Sequence, residues 1–105
     1  MTEISAQDLK ARLDSGKPPT LLDVRQDWET KLCRLENAVH IPIEEIELRT
    51  EELDPKSEIV VYCHKGVRSA AVAEYLRSLG FTDVKNLAGG VDFWAGTIDP
   101  SMRRY

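Results

Sequence analysis

The stretch EIVVYCHKGVRSAAVAEYLRSLG, residues 58–80, joins two different hydrophobic patterns. Its first part, IVVY, is an uninterrupted apolar run that is too short for a helix and is typical of a strand buried on both faces. From Arg68 onward the apolar residues recur at helical spacing, and Gly80 stands where a left-handed helix cap belongs. The stretch therefore predicts a strand, a tight turn and a helix, with Cys63 at the point where the strand ends.

The flanking segments repeat this alternation. Ser5 is expected to cap a helix that ends near Ser15 and Gly16, with Asp8 in a variant of the capping box. Further strands are predicted in TLLDV (20–24), AVHIP (38–42) and DVKNL (83–87), and a helix-like pattern covers residues 43–53. Short buried strands that alternate with helices indicate an α/β fold with a mainly parallel sheet, covered on both faces, and with functional residues at the carboxyl ends of the strands.

Length and composition predict a single domain over residues 1–105. The 14 Lys and Arg residues against 18 Asp and Glu residues give a net charge of −4, which favours neither nucleic acid nor an anionic membrane as a partner. No apolar run approaches the roughly 20 residues that span a bilayer, and the polar start does not resemble a signal peptide. We therefore expect a cytoplasmic protein, and the sequence makes no prediction about its oligomeric state.

The cysteine and histidine spacings favour no metal site and no disulfide framework. Cys33 and Cys63 are far apart and form no CxxC pair, and the two histidines are also far apart, so at least one thiol should be free.

The loop after Cys63 has the composition of an anion cradle. Gly66 permits a tight turn with inward-facing N–H groups, and the following helix contributes its positive end. Lys65 and Arg68 add two cations that favour the reactive thiolate form of Cys63. The alternative is that Cys63 is a small buried residue that ends a strand, with both cations solvated.

Four motifs together resemble the rhodanese-like sulfurtransferase family. CHKGVRS (63–69) resembles its active-site loop, and LLDVRQDWE (21–29), NAVHIP (37–42) and VKNLAGGVDFW (84–94) are similar to further motifs in the same order and spacing. The chain departs from the family pattern in LCRLENAVHIP (32–42), where many members carry a Gly-His-Ile-Pro-Gly-Ala run.

This resemblance implies a three-layer sandwich with a sheet of about five strands, and a two-step sulfur transfer. The Cys63 thiolate would take a sulfur atom from a small anionic donor such as thiosulfate, or from another persulfide donor. The transient cysteine persulfide would need no cofactor, and a thiol, cyanide or an acceptor protein would remove the sulfur. The cradle would consist of His64, Lys65, Gly66, Val67 and Arg68.

The loop from the cysteine to the arginine forms a ring around the bound group, and the number of residues in it is the main argument between the functions that this fold supports. Phosphatase relatives place five residues between the cysteine and the arginine, whereas four residues separate Cys63 from Arg68 here, which suits a single sulfur atom. The alternatives are a phosphatase or arsenate reductase of the same fold, and a regulatory interaction module. Such modules usually lack the cysteine, which is present in this chain.

Several other residues are candidates for supporting roles. We interpret Asp23 as structural, whereas Arg25 could be structural or bind an anion, and Ser69 is expected to begin the helix after the loop together with Arg68. Cys33 could resolve the persulfide, but burial is the favoured interpretation, and His40 is expected to be a satisfied side chain rather than a catalyst.

The end of the sequence is expected to contribute geometry rather than chemistry. Gly89 and Gly90 predict a turn, Trp28 and Trp94 are expected in the core or at its rim, and residues 102–105 are expected to be a frayed basic tail.

Overall fold

The computed structural model describes residues 2–105, and its central feature is one sheet of five short strands. The strands are β1 (Glu3–Ile4), β2 (Thr20–Asp23), β3 (Val39–His40), β4 (Ile59–Tyr62) and β5 (Val84–Leu87). They lie in the order β1-β5-β4-β2-β3, and every neighbouring pair is parallel. The prediction of a mainly parallel sheet of about five strands is confirmed, although β1 lies outside the segments predicted as strands.

Four α-helices lie between these strands, and a fifth follows β5. They are α1 (Ala6–Asp14), α2 (Asp27–Leu32), α3 (Ile46–Arg49), α4 (Val67–Ser78) and α5 (Gly90–Thr97). The Ser5 hydroxyl accepts a hydrogen bond from the Asp8 N–H at 3.0 Å, which confirms the predicted cap of α1. Over residues 43–53 the predicted helix consists of α3 between two 3₁₀ turns. Within residues 2–105, no helix has the length and apolarity needed to cross a membrane.

The core consists of two apolar layers, one on each face of the sheet. On β4, Ile59 and Val61 face the layer that contains α4, whereas Val60 and Tyr62 face the layer that contains α1 and α5. All four β4 residues are fully buried because the strand lies in the centre of the sheet with helices on both sides. The expectation of a three-layer α/β sandwich is thereby confirmed.

The register of the sheet determines which residues meet at its carboxyl edge. Asp23 at the end of β2 pairs with Tyr62 at the end of β4 and with His40 at the end of β3. On the other side of β4, Asn86 of β5 pairs with Val61. Cys63, the residue after β4, therefore lies between the ends of β2 and β5.

We expect Leu76→Ala to destabilise the protein because Leu76 of α4 is fully buried in the layer against β4. Truncation of a buried leucine leaves a cavity and costs about 2–5 kcal/mol of unfolding free energy, which urea denaturation would measure. Leu79→Ala is the matched control, since Leu79 is 49% exposed and its loss should cost less than about 1 kcal/mol. Equal losses in the two variants would contradict the described packing of α4.

Candidate active site

The Cys63 sulfur is a buried atom that accepts hydrogen bonds from the loop around it. The Cys63 residue is 1% exposed, and its Sγ lies 3.2 Å from the Gly66 N, 3.4 Å from the Ser69 N and 3.2 Å from the Ser69 Oγ. Gly66 has a φ of 100°, in the left-handed region that glycine adopts without strain, and α4 begins at the next residue. The predicted turn with inward-facing N–H groups is therefore present, and the helix begins at Val67.

These donors favour the thiolate form of Cys63. Burial raises the pKa of the Cys63 thiol, but hydrogen bonds from the Ser69 hydroxyl and from the N–H groups of Ser69, Gly66 and Lys65 lower the pKa by more. The net pKa lies below the ordinary value for a cysteine. Preorganised N–H groups at a helix N-terminus can thus hold a negative charge on sulfur without a neighbouring general base.

Asn86 fixes the position of the Ser69 hydroxyl behind the sulfur. The Asn86 Nδ2 donates to the Gly66 carbonyl oxygen at 3.1 Å and to the Glu3 carboxylate at 3.2 Å, so its Oδ1 is turned toward Ser69. The Ser69 hydroxyl lies 2.5 Å from that oxygen and 3.2 Å from the Cys63 Sγ. Because a hydroxyl carries one proton, Ser69 can donate to only one of these two acceptors at a time.

The first turn of α5 is hydrogen-bonded to the backbone of the loop. The N–H groups of Val91 and Asp92 donate to the carbonyl oxygens of Cys63 and His64 at 3.0 and 2.9 Å. A Cβ atom on Gly90 would lie 2.5 Å from both of those carbonyl oxygens, so only glycine permits this approach. The two glycines do serve backbone geometry, as expected, but a helix begins at Gly90 where only a turn was predicted.

A buried carboxylate forms an ion pair with Arg68, the arginine at the end of the loop. Arg68 donates from both terminal nitrogens to Glu29, at 2.6 and 2.8 Å, and the Glu29 side chain is 3% exposed. Glu29 also accepts a hydrogen bond from the Tyr105 hydroxyl at 2.6 Å and from the Gln26 N–H at 3.0 Å. The hydrogen bonds from Arg68 hold the pKa of Glu29 at about 2, so the carboxylate is charged at neutral pH.

Arg25 lies behind this pair and has no exposed surface. Its guanidinium forms an ion pair with Asp23 at 2.7 Å, and it donates to the Cys33 carbonyl oxygen at 2.7 Å and to the Tyr105 hydroxyl at 3.1 Å. Arg25 is 0% exposed and Asp23 is 1% exposed, so these contacts are structural and leave no face of Arg25 for an anion. Cys33 is half-buried, with its Sγ 3.6 Å from the nearest Arg25 nitrogen.

Aromatic rings form a strip that leads away from the loop. The His64 ring stacks on Tyr105 with a centroid distance of 3.8 Å, and Tyr105 meets the edge of Trp28 at 5.8 Å. We call these three side chains the aromatic strip. Val67 is 79% exposed and Lys65 is also exposed, on the same loop. The expectation of a frayed tail at residues 102–105 is wrong for Tyr105. Its hydroxyl is hydrogen-bonded in the site and its ring stacks on His64.

The remaining candidates lie away from the sulfur or in the core. The His40 Nε2 lies 2.7 Å from the Arg25 carbonyl oxygen, which fits the expectation of a satisfied side chain. Trp94 is buried, whereas Trp28 is 60% exposed at the rim. Both cysteines are free, and the part of the chain from residue 2 onward contains no cluster of three His, Cys, Asp or Glu side chains suited to a metal ion.

Comparison with known proteins places this loop in a family. The family model for the rhodanese-like domain matches residues 5–97. The chain belongs to the rhodanese-like domain family. The resemblance drawn from the four motifs is thus confirmed.

Two relatives in Bacillus subtilis (strain 168) match this chain over different shares of their own length. YrkF, whose name proposes a sulfur-carrier role, is 37% identical over 97 residues, which cover 92% of this chain and 52% of YrkF. YtwF, whose name proposes a sulfurtransferase role, is 38% identical over 98 residues, which cover 93% of this chain and 94% of YtwF. This chain therefore spans about half the length of one relative and nearly all of the other.

Solved structures give the same result for the fold. A rhodanese-like domain protein from Staphylococcus aureus has a TM-score of 0.84 and is 36% identical, with 90% of this chain and 91% of that chain covered. The five-stranded parallel sheet and its helices are therefore those of a rhodanese-like domain.

Sequence reasoning missed three residues that shape the site of this rhodanese-like domain. Glu29, Asn86 and Tyr105 contact the loop or its arginine, yet none was a candidate. Glu29 and Asn86 lie within the motifs LLDVRQDWE and VKNLAGGVDFW, so their presence in those motifs was the available signal. Nothing in the local sequence distinguishes Tyr105.

Ser69→Ala should raise the pKa of Cys63, because it removes the hydroxyl donor that lowers this pKa most among the hydrogen bonds. At neutral pH we expect iodoacetamide to alkylate Cys63 about three- to tenfold more slowly, since hydrogen bonds to charged groups are stronger than ordinary ones. The readout is the alkylation rate against pH in a Cys33→Ser background. Ser78→Ala removes an exposed hydroxyl at the far end of α4 and should leave the profile in place. An unchanged profile in Ser69→Ala would contradict the assigned donor.

Glu29→Gln should make the free energy of unfolding less sensitive to a fall in pH. The pKa of Glu29 is about 2 in the folded protein and near 4.5 when unfolded, so its charge stabilises the fold above pH 4.5. This contribution, about 3 kcal/mol, is lost as the pH falls from 4.5 toward 2. Urea unfolding between pH 7 and pH 3 should show a shallower loss in Glu29→Gln than in the wild type. Glu52→Gln, which alters an exposed ion pair with Arg49, should change this slope much less because exposed ion pairs contribute little to stability.

Proposed function

We propose that this protein is a sulfurtransferase in which Cys63 carries the transferred sulfur as a persulfide. The observation that carries this proposal is the buried Cys63 Sγ with N–H donors from Gly66 and Ser69, at the N-terminus of α4. The names of YtwF and YrkF, which propose sulfur transfer and sulfur carriage, support the same class of reaction.

In the first step the Cys63 thiolate attacks the outer sulfur of a donor. With thiosulfate as donor, the S–S bond of thiosulfate breaks, its electron pair leaves on sulfite, and the outer sulfur becomes the terminal sulfur of Cys63–S–S⁻. The total charge of −3 is the same on both sides. The step needs no metal, because the N–H groups already lower the pKa of the thiol.

In the second step an acceptor nucleophile takes the terminal sulfur and Cys63 is released as a thiolate. The acceptor is a thiol, cyanide or an acceptor protein. Backbone N–H groups of the loop are aimed at the sulfur position, and a buried site shields the persulfide from oxidation. The two steps together form a ping-pong cycle with the persulfide as its only intermediate.

The size of the ring argues for sulfur rather than phosphate. Four residues separate Cys63 from Arg68, and the charge of Arg68 is balanced in a two-point ion pair with Glu29. A phosphoryl group has three outer oxygens that need donors, and a ring one residue shorter than that of the phosphatase relatives suits a single sulfur atom better. We therefore expect no hydrolysis of an aryl phosphate by the wild-type protein.

Cys63→Ser should abolish both persulfide formation and turnover. After incubation of the wild type with thiosulfate, mass spectrometry should find one extra sulfur atom on the peptide that contains Cys63, and cyanide should remove it as thiocyanate. Serine keeps the size of the side chain but not the nucleophile, so thiocyanate formation should fall by at least about a thousandfold, the scale seen when a nucleophile is removed.

Cys33→Ser provides the matched control, since Cys33 is a free cysteine whose sulfur contacts Arg25. This variant should keep its activity. Sulfur found on Cys33, or activity that survives in Cys63→Ser, would overturn the assignment of the nucleophile.

A further inference from the structure

Tyr105 connects the two buried ion pairs of the site. Its hydroxyl lies 3.1 Å from the Arg25 Nη1 and 2.6 Å from the Glu29 Oε2. Arg25 is paired with Asp23, and Glu29 is paired with Arg68. A continuous chain of hydrogen-bonded side chains therefore runs from the end of β2 to the first turn of α4, with the Tyr105 hydroxyl in its middle.

The two partners of the Tyr105 hydroxyl determine the direction of its proton. A guanidinium has only donors, so the hydroxyl oxygen accepts the hydrogen bond from Arg25. The one hydroxyl proton is then donated to Glu29, whose charged carboxylate can only accept. Burial and the hydrogen bond to Glu29 raise the pKa of Tyr105, so the hydroxyl keeps its proton at neutral pH. Tyr105 thus compensates part of the charge of the carboxylate.

Four hydrogen bonds determine the position of the Glu29 carboxylate. Its Oε1 accepts from the Gln26 N–H at 3.0 Å and from Arg68 at 2.6 Å, and its Oε2 accepts from Arg68 at 2.8 Å and from Tyr105 at 2.6 Å. Gln26 and Tyr105 therefore restrain one carboxylate oxygen each. Together they fix the plane of the carboxylate, and the two-point pair passes this orientation to the guanidinium.

Arg68 has N–H groups left for a ligand. The pair with Glu29 uses one N–H of each terminal nitrogen, which leaves the Nε–H and the second N–H of each terminal nitrogen. The Arg68 side chain is 34% exposed and that of Glu29 is 3% exposed, so a ligand from solvent meets the arginine and not the carboxylate. The pair with Glu29 raises the pKa of Arg68, and the charge of Cys63 raises it further, which indicates electrostatic contact with the sulfur.

The ring of Tyr105 is held separately from its hydroxyl. Within the aromatic strip it stacks on His64, with the two ring planes 9° apart, and meets the edge of Trp28. The family model matches residues 5–97, so Tyr105 lies outside the segment that this chain shares with the family. A phenylalanine at this position would keep both ring contacts and lose only the hydroxyl.

We propose that Tyr105 is a positioning residue for donor binding. Its hydroxyl fixes Glu29, and Glu29 directs the remaining N–H groups of Arg68 toward the anionic part of a sulfur donor. Loss of the hydroxyl leaves the carboxylate with less charge compensation and a less restrained position, and both effects weaken the attraction of an anion to the arginine. This inference rests on the proposed function, because it concerns how the donor is bound at the same site.

The test compares two alkylating reagents of similar size on Cys63, in a Cys33→Ser background at neutral pH. Iodoacetate is an anion and iodoacetamide is neutral, and both attack the thiolate, so the ratio of their rates does not depend on the thiolate fraction. Tyr105→Phe should lower the iodoacetate-to-iodoacetamide ratio by about three- to fivefold, part of the worth of a hydrogen bond to a charged group. The iodoacetamide rate should stay within about twofold of its value with Tyr105 present.

Tyr75→Phe is the matched control for the loss of a tyrosine hydroxyl. Tyr75 lies on α4 and packs against the core, and its hydroxyl takes no part in the hydrogen bonds of residues 2–105. Both alkylation rates should remain unchanged in this variant.

A double-mutant cycle tests whether Tyr105 acts through Arg68. Arg68→Gln removes the cation and should itself lower the iodoacetate-to-iodoacetamide ratio by about tenfold. In the Arg68→Gln background, Tyr105→Phe should change the ratio by less than about 1.5-fold, because the group that it positions is gone. A residue with a merely structural role would instead change both alkylation rates together.

The same variant is then tested with thiosulfate as sulfur donor. The rate of sulfur addition to Cys63 is followed by mass spectrometry and expressed as kcat/KM for the loading step. Tyr105→Phe should lower this constant by about three- to fivefold, as it lowers the reaction with iodoacetate.

The outcomes separate this inference from the proposed function. An unchanged rate ratio in Tyr105→Phe, or an equal change in both alkylation rates, would overturn the positioning role and leave Cys63 as the sulfur carrier. A fall in the ratio that persists in the Arg68→Gln background would overturn the route through Arg68. Failure of every sulfur donor to load Cys63 would overturn the proposed function itself, and the alkylation ratio would still report how Tyr105 positions Arg68.

Discussion

The structure depends on the hydrogen bonds that a buried sulfur atom accepts at the end of β4. A thiolate without donors would be costly at 1% exposure, so the loop must turn its N–H groups inward and α4 must begin immediately after it. That requirement explains the left-handed Gly66 and the approach of Gly90 beneath the loop. The sheet, with β4 buried at its centre, holds the base of this arrangement rigid.

A second layer of contacts keeps the loop in place and balances its charge. Asn86 connects the Gly66 carbonyl to the Ser69 hydroxyl, while Glu29 pairs with Arg68 and accepts a hydrogen bond from the Tyr105 hydroxyl. These partners come from β5, α2 and the last residue of the sequence, so the site draws on nearly the whole chain. The result is a sulfur site whose donors are mainly backbone dipoles and whose cations are mostly neutralised, a combination that suits a carried sulfur atom better than a multiply charged group.

Much of the fold followed from local patterns, and the errors have physical causes. The strands at 20–23, 59–62 and 84–87 are short apolar runs whose pattern agrees with their burial. Strand β1 has only two residues and is defined by its pairing with β5, which no local pattern encodes. Helix α5 was missed because its two leading glycines indicate a turn, although Val91, Trp94 and Ala95 have the spacing of a buried helix face.

The sequence by itself predicted Cys63 as the nucleophile, and it determined the ring of four residues between Cys63 and Arg68, the glycine that allows the turn and the family. These features are local, since they depend on spacing within one strand, loop and helix. Only the tertiary structure decided which partner each charged side chain of the site has. Glu29 lies 39 residues from Arg68 in sequence, and Tyr105 lies 76 residues from Glu29, so their contacts arise only when the sheet brings its carboxyl edge together. Arg25 was ambiguous for the same reason: burial against Asp23, not its residue type, makes it structural.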